Sequence, residues 1–103
     1  MTIQTGLGIK ELLQDKRDEI LAIAAKHGAY NVRVFGSVAR GEATATSDVD
    51  FLIDYDRQRM SPWFPVHLIR DLETLLNRKV DVVSEKSLHY FLKDSILQEA
   101  VTL

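Results

Sequence analysis

Between residues 9 and 26 the apolar side chains Ile9, Leu12, Leu13, Ile20, Ile23 and Ala24 recur at helical spacing around Lys16, Arg17, Asp18 and Glu19. That pattern predicts an amphipathic helix. His27 suits its carboxyl end, and Gly28 suits the left-handed residue that stops it. The period then changes to two. In NVRVF, residues 31–35, Val32 and Val34 alternate with Arg33; in DVDFLID, residues 48–54, Val49, Phe51 and Ile53 oppose Asp48, Asp50 and Leu52. Both read as strands, the second with one apolar side and one acidic end.

SPWFPVHLIRDLETLLNR, residues 61–78, returns to the helical period through Val66, Ile69, Leu72, Leu75 and Leu76. Ser61 is placed as its N-cap, Pro62 as its first residue, and Pro65 still within the first turn, where a missing N–H costs little. KVDVV, residues 79–83, is a third short strand with Val80 and Val82 opposite Asp81. Beyond Ser87, the positions Leu88, Phe91, Leu92, Leu97 and Val101 predict one or two closing helical pieces. Repeats, linkers and low-complexity segments are absent, so residues 1–103 are expected to form a single domain.

Hydrophobic residues make up 46% of the 103 positions and charged residues 27%, the balance of a folded soluble domain with a thin core. Thirteen Lys and Arg against 15 Asp and Glu leave a formal charge of -2, with a pI near 5.9. An autonomous nucleic-acid binder would carry a basic stripe, so no direct nucleic-acid partner is expected. The absence of cysteine excludes disulfides, thiolate catalysis and thiolate metal sites. The start, MTIQTGLGIK, has neither a basic leader nor an apolar core, and no later apolar run approaches membrane-spanning length. A cytoplasmic protein without a membrane partner is the expectation.

The chemistry gathers in GSVARGEATATSDVD, residues 36–50. Gly36 lacks a Cβ, so oxygens of a ligand can approach the backbone there. Ser37 offers a hydroxyl and an N–H at the start of a short helix, and Arg40, one turn later, brings a guanidinium to the same side. This is a cradle for an anion. Asp48 and Asp50 project from one face of a strand, about 7 Å apart by the strand rise, close enough for both to reach one hard cation such as Mg²⁺. Taken alone, an Asp-x-Asp pair is more often a polar strand edge. Beside an anion cradle it fits the metal half of a nucleoside triphosphate site. If the strand carrying Asp81 lies next to the Asp50 strand, a third carboxylate joins and the site could hold two metal ions. On its own, Asp81 could equally face water.

The spacing Gly36-Ser37, ten residues, Asp48-x-Asp50, then a later strand with Asp81, resembles the signature of the DNA polymerase β-like nucleotidyltransferase superfamily. FGSVARGEATATSDVDFLI and RKVDVV are most similar to its minimal nucleotidyltransferase (MNT) domains, from Val32 to the end of the chain. The resemblance implies an α/β (α+β) fold, a small mixed sheet with packed helices. It implies ATP as substrate, with phosphate on Gly36 and Ser37, and two Mg²⁺ ions on Asp48, Asp50 and Asp81, the last also a candidate base. Arg40 matches an arginine common in the minimal group.

Larger members of that superfamily carry a further domain for the acceptor, so here the acceptor is expected from another protein or a second subunit. Many MNT proteins are antitoxins paired with a helical HEPN ribonuclease toxin, which implies transfer of AMP from ATP to a tyrosine of that toxin. The alternatives are a module that masks the toxin without chemistry and an aminoglycoside-type small-molecule nucleotidyltransferase. RNA tailing is disfavoured by the acidic pI. A homo- or hetero-oligomer is compatible with either main reading.

Weaker candidates receive bland assignments. Trp63 and Phe64 are expected to pack on the core rather than meet a partner. His27, His67 and His89 lack ligand spacing and have no assigned role. Asp54 and Asp56 are expected to be solvated, and Tyr30, Tyr55 and Tyr90 to be ordinary half-buried tyrosines.

Overall fold

A computed structural model describes residues 6–103 of the chain. The period-two segments become strands β1 (Ala29–Phe35), β2 (Val49–Tyr55) and β3 (Val80–Ser84), and a two-residue strand β4 (Val101–Thr102) joins them. They form one mixed sheet in the order β3-β2-β1-β4. β1 runs antiparallel to both β2 and β4, whereas β2 and β3 are parallel. A parallel pair needs a crossover, and helix α4 (Val66–Leu76) supplies it.

Alternation decides which sheet face is covered. Val34, Val49, Phe51, Ile53 and Val80 pack with Ile20 and Ala24 of helix α2 (Arg17–Lys26) and Leu68 and Leu72 of α4 in one buried cluster. Phe51 is fully buried at its centre. Truncating it to alanine costs about 4 kcal/mol, from lost transfer energy and the cavity left behind. The opposite face carries Arg33, Asp50, Leu52, Asp54 and Asp81, and Leu52 is buried there, outside that cluster.

Three expectations need correction. The helix foreseen over residues 9–26 is broken into α1 (Ile9–Leu12), a 3₁₀ turn at Gln14–Lys16 and α2. Six polar residues in a row, 14–19, give that stretch no apolar anchor to hold a continuous helix against the core. The second long helix begins at Val66 rather than beside Ser61, whose hydroxyl accepts from the Trp63 N–H in a turn. Proline disfavours helical backbone at the residue before it, so Pro65 keeps Phe64 out of the helix. Asn77, at φ 50°, ends that helix in the left-handed conformation. After residue 87, one helix, α5 (Tyr90–Glu99), is followed by β4 rather than by more helix. β4 is too short to show any period.

Phe64 packs on the core and against Tyr55, as expected, but Trp63 is 65% exposed and stacks on His67 instead. Tyr30 and Tyr90 are exposed rather than half-buried. Among the described residues no helix is long and apolar enough to cross a membrane.

Candidate active site

β1 leaves Phe35 in extended geometry and turns at Gly36 into the short helix α3 (Gly36–Arg40), which Gly41 closes at φ 73°. Gly36 is needed twice over. Its φ is 76°, and a Cβ there would collide with the Asp50 carboxyl group, whose Cγ would lie only 3.2 Å away. The Gly-Ser corner and the first strand aspartate are therefore in direct contact. Val38, on the inner side of α3, is fully buried and fixes the helix against the sheet. Arg40 is left on the outer side, one turn beyond Ser37.

Asp50 and Asp81 are register partners across the parallel pair β2 and β3, so the condition set for Asp81 is met. Asp81 is exposed on the open face, not buried between its flanking valines. Asp48 stands just before β2 at the end of a braced loop. The Arg78 Nη1 donates to the Thr44 carbonyl at 2.7 Å and the Ser47 carbonyl at 2.9 Å, while the Thr44 N–H donates to Ser47 Oγ at 2.8 Å. A cleft of about 400 Å³ opens beside Asp48, lined by residues 45–48 with Arg78 and Lys79.

Burial pushes the Asp50 carboxyl above its usual range, and repulsion from Asp81, Asp48 and Glu99 pushes it further; Arg40 partly opposes them. A cation at this point would offset that repulsion, and the donors are hard carboxylate oxygens of the kind Mg²⁺ takes. Among the described residues, however, no three Asp, Glu or His side chains are arranged to hold a metal ion. The three aspartates approach one another without forming a closed cage. Mg²⁺ commonly uses one or two carboxylates and completes its shell with water and phosphate oxygens, so an open set still fits it.

Glu99 was not foreseen. It arrives from the end of α5, accepts the Gly36 N–H on Oε2 at 2.9 Å and is gripped by the Arg40 guanidinium on Oε1. The Gly36 hydrogen bond, then Arg40, holds its carboxyl below the usual range. Arg40 also donates through Nε to Glu42 at 3.0 Å. No local pattern could have revealed Glu99, because its partners lie 63 and 59 residues away.

Asp54 corrects the expectation of solvated charge. Further along β2 on the open face, it accepts from Asn31 Nδ2 at 2.9 Å and from the buried Arg33 at 3.4 Å; Glu85 approaches the same guanidinium at 3.7 Å. Histidine 27 likewise has a structural partner, its Nε2 lying 2.7 Å from Asp71 of α4.

Residues 17–103 match the protein family described as "Nucleotidyltransferase domain". The chain is 39% identical over 89 residues to "Putative protein adenylyltransferase MJ0435" of Methanocaldococcus jannaschii, covering 86% of this chain and 95% of that protein. It is 38% identical over 76 residues to "Protein adenylyltransferase MntA" of Thermococcus cleftensis, 74% of this chain and 76% of the relative. Among solved structures, "Structure of putative minimal nucleotidyltransferase" superposes with a TM-score of 0.80 at 39% identity, covering 96% of this chain and 99% of the other. "Crystal structure of the toxin-antitoxin with AMP-PNP" shares the fold at a TM-score of 0.68 and 18% identity, over 84% of this chain and 71% of the other.

Proposed function

The chain belongs to the nucleotidyltransferase domain family and is a nucleotidyltransferase, and from that premise we propose that it moves AMP from ATP onto a tyrosine hydroxyl of a partner toxin of the HEPN ribonuclease class. In this reading it is the antitoxin of the pair. The single observation that carries the chemistry is that an anion already sits on the Gly36 N–H and Arg40, in contact range of an aspartate whose charge is unbalanced. Relatives named as protein adenylyltransferases support a protein acceptor. The toxin partner and the tyrosine follow from the motif's similarity to MNT antitoxins.

Gly36, Ser37 and Arg40 bind the triphosphate, through one backbone N–H, one hydroxyl and one guanidinium. Asp48, Asp50 and Asp81 are the residues that would hold Mg²⁺, which when bound supplies charge neutralisation for the polyphosphate. The acceptor hydroxyl oxygen forms a bond to the α-phosphorus as the bond to the β-phosphate bridging oxygen breaks, and pyrophosphate leaves. In this reading Asp81, exposed beside Asp50, receives the acceptor's proton. Asp81 is exposed at this edge of the sheet, where a protein surface could present its tyrosine.

Incubation with ATP labelled in the α-phosphate and with the HEPN protein encoded beside it should label that protein on tyrosine, and Asp50→Asn should abolish the label. A toxin that is neutralised yet unlabelled would refute transfer and leave masking as the mechanism.

A further inference from the structure

Glu99 holds two of the three groups that the proposed reading assigns to phosphate. Its carboxylate oxygens divide between the Gly36 N–H and the Arg40 guanidinium, and its side chain is only 25% exposed. A carboxylate and a phosphate oxygen cannot both accept from one N–H at hydrogen-bond distance. The same carboxylate lies among like charges and helps push Asp50 above its usual range, so it is held there by those two donors against repulsion.

The segment that delivers it is lightly attached. α5 has no buried residue, and its amino end leaves Tyr90 and Phe91 each 72% exposed. Beyond Glu99 the chain is fastened by β4, whose Val101 and Thr102 pair with Val34 and Arg33, and by the Arg17 Nε donating to the Leu103 carbonyl at 2.6 Å. α5 is therefore held mainly at its carboxyl end, where the bonds of Glu99 to Gly36 and Arg40 add to those of β4.

We infer that Glu99 is a built-in phosphate surrogate: its carboxylate occupies the cradle of Gly36 and Arg40, and a polyphosphate must displace it to bind. This rests on the nucleotide reading above and adds a competitor to it. Apparent affinity then equals intrinsic affinity multiplied by the fraction of molecules with the cradle open.

Calorimetric titration of tripolyphosphate and of ATP, with and without Mg²⁺, tests it on the full chain. Glu99→Gln and Glu99→Ala should each bind both ligands about tenfold more tightly than the wild type. Glu42→Gln is the control, because it removes one charge from the same guanidinium at Nε without freeing the Gly36 N–H; its effect should stay within about twofold. In the wild type, the Gly36 amide resonance should move on adding tripolyphosphate and should already be displaced in Glu99→Ala. Circular dichroism melting establishes that each variant is folded. Unchanged or weakened binding in folded Glu99 variants, or equal tightening by Glu42→Gln, overturns the surrogate while leaving the nucleotide reading intact. Folded proteins that bind neither ligand, wild type included, overturn both.

Discussion

The two ends of the open sheet face are built from the same strands and are both rich in carboxylates, yet they treat charge in opposite ways. At one end, Asp54 and Glu85 flank the guanidinium of Arg33, a residue only 9% exposed, which donates also to the Asn31 carbonyl. Acid and base are matched there. At the other end, four positions along β2, Asp50 faces Asp81 and Asp48, and Arg40, the cation that opposes them, is itself taken up by Glu99 and Glu42. A sheet that places an arginine among acids at one end has left the other without one. Unbalanced charge of this kind costs stability and marks a place where a ligand supplies what the chain does not.

The widest separation between the two ends should come from Asp50→Asn. Transfer activity should fall about a thousandfold, equivalent to several kcal/mol of lost transition-state stabilisation. Stability should not fall with it. An aspartate held above its usual range is a net cost to the fold when ionised, so a neutral amide should melt at a slightly higher temperature at pH 7. A variant that loses activity and stability together would make Asp50 a structural residue and erase the contrast.

Arg33→Met should do the reverse. It takes the cation from Asp54 and Glu85, and because both carboxylates are partly exposed and Asp54 keeps its bond from Asn31, the cost is about 1–2 kcal/mol. Urea unfolding measures that loss, and the activity of the molecules that remain folded should change far less than in Asp50→Asn. A smaller effect follows from binding. Millimolar Mg²⁺ should raise the stability of the wild type by about 1 kcal/mol and should do nothing for Asp81→Asn or Asp50→Asn, with Arg33→Met still responding.

The parts of this contrast that were legible in the sequence are the local ones. The Gly36-Ser37 corner could be read because one residue must adopt φ 76° and lie against Asp50, and only glycine does both cheaply. Strands β2 and β3 were legible because alternation over five or more residues separates valine from aspartate. What escaped notice depends on distant partners. Glu99 looks like any helix-surface glutamate until β4 brings the chain back beside β1, and Asp54 looks solvated until the irregular register between Tyr30 and Arg33, where Asn31 sits at φ 51°, turns Arg33 toward it. The turn at residues 61–65 is hidden from a sequence reading because Ser-Pro is a good helix start in isolation and the second proline overrides it.

The most delicate test uses acid, with Asp71 as the reference for a matched carboxylate. Its hydrogen bond to His27 holds it below the usual range, helped by Lys26, whereas Asp50 is held above. The signs are opposite. Asp71 contributes stability that is present above the unfolded value of about 3.9 and is lost as pH falls through its lower folded value. Asp71→Asn should therefore be less stable than the wild type at neutral pH, and the deficit should close only below about pH 3.9. Asp50 costs stability above its raised folded value, and that cost fades as protonation sets in. The surplus of Asp50→Asn over the wild type should thus shrink on acidification and be gone by about pH 3.9, before the Asp71 deficit begins to close. Thermal melts of the three proteins in chelator-containing buffer, stepped from pH 7 to pH 3, would follow both differences. If the Asp50→Asn curve instead tracked that of Asp71→Asn, the site end would be as well matched in charge as the rest of the fold, and nothing about it would call for a cation.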